Sequence, residues 1–62
     1  MKSKWRVKEV SVAGTTFYKV YRLLDVAAKE TSKNTLSHGG LWTTRREAEE
    51  LADRLNKKEG WA

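Results

Sequence analysis

The sequence of 62 residues predicts an α+β fold, a three-stranded antiparallel sheet with one C-terminal helix packed on one face (β-β-β-α). Three observations lead there. Ala48, Leu51, Ala52 and Leu55 recur at the spacing of one helical face. Two upstream stretches, Lys4 to Val12 and Thr15 to Leu24, are rich in alternating, β-branched and aromatic residues. Glycines at Ala13-Gly14 and Gly39-Gly40 sit where such a sheet needs a tight turn and a bulge.

The helix has its ends written into it. Thr44 followed by Glu47 fits a capping box, in which each side chain satisfies the other's free backbone donor. Gly60 sits where a left-handed cap is usual, and Lys57 and Lys58 complement the negative end of the helix dipole. The helix is therefore expected from about Thr44 to Lys58. It cannot stand alone: two buried leucines contribute about 1.5–3 kcal/mol each. Ordering its backbone costs about 1–2 kcal/mol per residue. A sheet must receive it.

In the first strand Lys2, Lys4, Arg6 and Lys8 alternate with Trp5 and Val7, basic on one side and apolar on the other. Val10 and Val12 then share the parity of the lysines, so a bulge or bend near Lys8-Glu9 is expected to return them inward. Ala13-Gly14 reads as a tight turn. In the second strand neither face is purely apolar; Tyr18, Val20 and Leu24 are expected inward, with Phe17, Lys19 and Tyr21 on the open face. Residues 25–34 read as a long polar hairpin connection, and Thr35 to Trp42 as a third strand interrupted at Gly39-Gly40. Trp42 should pack beneath the helix.

Sixty-two residues make one domain (1–62), near the lower limit for a core without staples. With no cysteine there is no disulfide framework and no thiolate metal or redox site. Three tryptophans take the stapling role. The apolar runs are far too short to span a bilayer and no secretory leader is recognisable, so a complete cytoplasmic chain without a membrane partner is expected.

Charge gives the functional lead. Arg45 to Glu59 carries five cationic and five anionic side chains and is neutral. Residues 1–44 carry eight cationic against three anionic ones, which is the whole net charge of +5. The excess rides on the extended part of the chain, as a polyanion partner requires.

Catalytic chemistry has little support. His38 is the only histidine and reads as an exposed turn residue beside Gly39-Gly40. Glu47, Glu49, Glu50 and Asp53 read as a salt-laced solvated face, Glu50 pairing with Arg46 and Arg54, and Asp53 with Lys57. Gly39-Gly40 lacks the fuller pattern of a phosphate-binding loop. Phosphate binding, by contrast, needs fixed cations at strand spacing, with aromatic side chains to stack on exposed bases. Lys4, Arg6, Lys8, Lys19 and Arg22, with Tyr21 and either Phe17 or Trp5, offer that combination, although Trp5 is better read as core.

Thr16-Phe17-Tyr18-Lys19-Val20-Tyr21-Arg22 and Gly40-Leu41-Trp42-Thr43-Thr44-Arg45-Arg46-Glu47-Ala48-Glu49 resemble the arm-type DNA-binding domains at the N-termini of tyrosine recombinases, and the related AP2-like domains. Those domains carry a Y-x-V strand and an F-x-T-x-x-E-A junction into the helix. The resemblance implies that the sheet enters the major groove, with Arg6, Lys8, Lys19 and Tyr21 as groove or phosphate contacts. Residues 25–40 are longer than the compact hairpin of that family, and no recombinase catalytic domain follows. What is implied is a stand-alone binding module of the kind carried by mobile elements, without integrase activity.

The expected function is thus non-enzymatic binding of duplex DNA through the open sheet face, by Lys4, Arg6, Lys8, Lys19, Tyr21 and Arg22, with no cofactor and no metal. The other reading is a protein–protein interaction or self-association module using the same face.

Overall fold

The computed structural model describes residues 1–61. Strand β1 (Arg6–Val12) turns back into β2 (Thr15–Leu23), a single 3-10 turn (Ser32–Asn34) leads into β3 (Thr35–Trp42), and helix α1 (Arg45–Lys58) follows. The strands form one antiparallel sheet in the order β1-β2-β3. The expected β-β-β-α fold is the one observed.

Ala13 and Gly14 both take positive φ, 51° and 80°, as the two central residues of a type I′ turn must. From that turn the β1–β2 register runs without a slip, Val12 opposite Thr15 through to Arg6 opposite Tyr21. The bulge expected near Lys8-Glu9 is therefore absent. Val10 and Val12 stay on the side of Arg6 and Lys8, where Val10 meets Phe17 across the ladder. The irregularity lies instead between β2 and β3. Tyr18 faces Trp42 while Val20 faces His38, so Gly39-Gly40-Leu41 takes up the extra length, with Gly40 at φ 93°.

The helix ends as its sequence demands. Thr44 has extended backbone and its hydroxyl accepts the Glu47 N–H at 3.3 Å. The Glu47 carboxylate accepts a hydrogen bond from the Thr44 hydroxyl at 3.1 Å rather than from the Thr44 backbone N–H, so only half of the capping box forms. At the other end Gly60 is left-handed; Trp61 N–H reaches Asn56 C=O and Gly60 N–H reaches Lys57 C=O, the paired bonds of a Schellman cap.

Trp5, Val20, Ala48 and Ala52 are the buried core, with Val7, Tyr18, Trp42, Leu51 and Leu55 packed around them. The small alanines let α1 approach the sheet closely. Of the three tryptophans expected to staple the fold, Trp5 and Trp42 pack in or against the core while Trp61 is exposed. Tyr18 and Val20 point inward as expected. Leu24 does not: β2 ends at Leu23, and Leu24 is exposed.

His38 is also corrected. It lies within β3 opposite Val20, half-buried, with Trp5 edge-on at 5.8 Å and Trp42 at 6.4 Å between ring centres. Its parity, set by the bulge, turns it under the helix and away from solvent.

The 25–34 connection is ordered by Asn34. Its amide accepts the Asp25 N–H and donates to the carbonyls of Asp25 and Lys29. Asp25 in turn accepts the Ala27 N–H and the N-terminal ammonium, which hold its carboxyl below the usual range. Among the described residues no helix is long and apolar enough to cross a membrane.

Candidate nucleic-acid interface

The unbroken β1–β2 register fixes which side chains share a face. Residues directly opposite in an antiparallel pair stand on the same side, and the sides alternate along each strand. Val7–Val20 and Glu9–Tyr18 therefore look toward α1. Arg6–Tyr21, Lys8–Lys19 and Val10–Phe17 look away from it.

Three of the expected contacts come together there. Lys8 and Lys19 are direct cross-strand partners, and Arg6 follows two residues from Lys8 along the same side. Like charges directly opposite cost stability. Among the described residues none of the three makes an ion pair, whereas the helix cations Arg45 and Arg46 are matched by Glu49 (3.8 Å) and Glu50 (3.2 Å). The expected pairs of Glu50 with Arg54 and Asp53 with Lys57 are not among the ion pairs formed by the described residues.

Tyr21 lies on this face but is only 8% exposed. The Lys8 ammonium sits 5.1 Å above its ring centre and its hydroxyl donates to Glu30 at 3.5 Å. Beside it Leu23 is buried as well. Tyr21 thus orients Lys8 and offers no free ring for a base to stack on. Phe17, half-buried between Val10 and Lys19, is the one ring left partly open on this side of β2.

Lys4 stands at the margin. With Arg6 it rims a groove between β1 and α1 whose helix side carries Glu49 and Asp53. Its position therefore faces carboxylates as well as the open side.

Arg22 is on the opposite face altogether, 6% exposed. Its guanidinium lies 4.5 Å over the Trp5 ring. It donates to the Ser3 carbonyl at 2.9 and 3.1 Å and to the Glu59 carboxylate in a bidentate pair. The same carboxylate accepts the indole N–H of Trp5 at 3.1 Å. Bonds from Arg22, then Trp5, pull the Glu59 carboxyl down to about 2. Arg22 therefore ties the N-terminal segment to the end of α1, and it is not available to a ligand on the open face.

Sequence reasoning expected Phe17 on this side but missed the other apolar side chains that join it there. Val10, Val12, Phe17 and Leu41 extend the face toward the hairpin, Val12 and Leu41 about half exposed. The even parity of Arg6, Lys8, Val10 and Val12 was the available signal, once no bulge intervenes. The face is cationic at one end and apolar at the other.

No group of three or more His, Cys, Asp or Glu side chains among the described residues is arranged to hold a metal ion. Comparison with protein-family models, with curated proteins and with solved structures finds no match to this chain.

Proposed function

We propose that the domain binds the phosphate backbone of duplex DNA through the open face of its sheet, with Arg6, Lys8 and Lys19 as principal contacts and Lys4 at the rim. One observation carries the reading: Lys8 and Lys19 face each other directly, with Arg6 alongside and no acidic partner for any of them among the described residues. Two cations held opposite one another are a liability to the isolated fold and an asset once a polyanion lies across them. Shortage of free aromatic rings on that face favours backbone contact over base stacking. The recombinase-arm resemblance points the same way, with Tyr21 supporting Lys8 rather than touching DNA.

The test is binding to a labelled duplex at low salt by the parent and by an Arg6→Glu/Lys19→Glu double variant. Both side chains are outside the core, so the double variant should fold and lose binding. Undiminished binding by a folded double variant rejects the interface.

A second reading rests on Val10, Val12, Phe17 and Leu41. Those apolar side chains suit a protein partner lying over the hairpin end of the face. Its sign would be absence of duplex affinity at low salt, together with shielding of Phe17 and Val12 resonances from a soluble paramagnetic probe when a partner is added.

A further inference from the structure

The two edges of the sheet are not equivalent. β3 carries the irregularity at Gly39-Gly40-Leu41, which shifts its register against β2, and a bulge of this kind disrupts an edge as a template for pairing. β1 has seven residues, no proline and no bulge.

A two-residue turn is closed by a hydrogen-bonded pair, here Val12 and Thr15. Alternation then directs the backbone groups of Arg6, Lys8, Val10 and Val12 toward β2 and those of Val7, Glu9 and Ser11 away from the sheet. Trp5 belongs to the outward series, and its N–H and C=O are both taken by the Asn56 amide, at 2.6 and 3.1 Å. No such partner serves Val7, Glu9 or Ser11 among the described residues. The edge is capped at one end and open over the rest.

We infer that the free edge of β1 pairs antiparallel with β1 of a second copy of this chain, about a two-fold axis through Val10. Charge selects that register. Centring on Glu9 or on Lys8 sets each of these against its own copy, and centring on Val7 sets Arg6 against Lys8. Centring on Ser11 meets the left-handed turn residue Ala13 opposite Glu9, after a single pair on each side of the axis, whereas centring on Val10 meets it only opposite Val7, after two. Centring on Val10 sets Val10 against Val10, Glu9 against Ser11 and Lys8 against Val12, with no like charges opposed. It also joins the apolar ends of the two open faces, Val12 and Phe17 included. The six strands then carry Arg6, Lys8 and Lys19 of both copies on one side. The pairing stands independently of what that side binds.

Because the chain lacks cysteine, single-cysteine variants report the register directly. Val10 would form a non-hydrogen-bonded cross-strand pair with Cα atoms about 4.5 Å apart, within disulfide reach. Lys8 of one copy would lie about 13 Å from Lys8 of the other, four strand residues away. Under mild oxidation at micromolar concentration, Val10→Cys should cross-link at least tenfold faster than Lys8→Cys. The parent should sediment as a reversible dimer toward millimolar concentration. Equal cross-linking rates, or a parent that stays monomeric throughout that range, overturns the inference.

Discussion

Asn56, in the last turn of α1, holds both backbone groups of Trp5, accepting its N–H at 2.6 Å and donating to its C=O at 3.1 Å. The side chain amide does for one residue what a fourth strand would do for a whole edge. It also joins two parts of the chain 51 residues apart, before β1 and at the end of α1. With the Arg22–Glu59 pair it makes the helix C-terminus the latch of the N-terminal segment.

Asn56→Ala should therefore cost more than its half-buried position suggests. Leaving a buried donor or acceptor unpaired costs about 1–3 kcal/mol, and partial access of water to Trp5 brings the expected total to about 2 kcal/mol. Urea denaturation measures it. A loss below about 0.5 kcal/mol, the range of an ordinary surface substitution, contradicts the latch.

Glu59 makes the latch sensitive to acid. Its carboxyl ionises at about 2 in the folded chain against an ordinary 4.5, so the folded state favours the carboxylate. The stability this confers is fully present above the ordinary value and is lost as pH falls from about 4.5 toward 2. Asp25, also lowered, adds to the same limb. Glu59→Gln should flatten the fall in melting temperature over that window. Parallel acid profiles for parent and variant would refute the assignment.

Ala13 occupies a left-handed position, φ 51°, without the freedom of glycine. Such a residue costs about 1–2 kcal/mol. Ala13→Gly or Ala13→Asn should raise stability by about 0.5–1 kcal/mol, part of the gain for glycine being offset by its greater unfolded freedom. Thermal melts decide it, and a lower melting temperature for both variants contradicts the turn geometry.

His38 carries a buried Nδ1 with no hydrogen-bond partner among the described residues, between Trp5 and Trp42. Replacing an unpaired buried polar ring by an apolar one of similar shape removes a desolvation cost. His38→Phe should match or exceed the parent's stability by up to about 1 kcal/mol. A loss of more than about 2 kcal/mol would show that the nitrogen is in use.

These sites divide along the line between local and distant information. The helix was legible because Thr44, Glu47, the Ala48–Leu55 stripe and Gly60 lie within one stretch. The hairpin turn needed only Ala13-Gly14, and the bulge only Gly39-Gly40. Faces were harder. In β2 both parities mix apolar and charged residues; Arg22 shares the inward parity expected for Tyr18 and Val20, but the partners that let a cation be buried there, Ser3 and Glu59, lie 19 and 37 residues away. Tyr21 is covered by Lys8 and Glu30, which come from another strand and from the connection. His38 was placed by the bulge, whose length a single strand does not reveal. Of the six expected contacts, Arg6, Lys8 and Lys19 converge because they needed only the β1–β2 register, which the turn sets.

The most direct test is the salt dependence of duplex affinity. Three phosphates neutralised by Arg6, Lys8 and Lys19 give a slope of log K against log salt of about −2.7, at about −0.9 each. Lys8→Gln/Lys19→Gln should bring it to about −0.9 with the fold unchanged. A parent slope near zero, or a double variant that keeps the parent's slope, contradicts binding through this face.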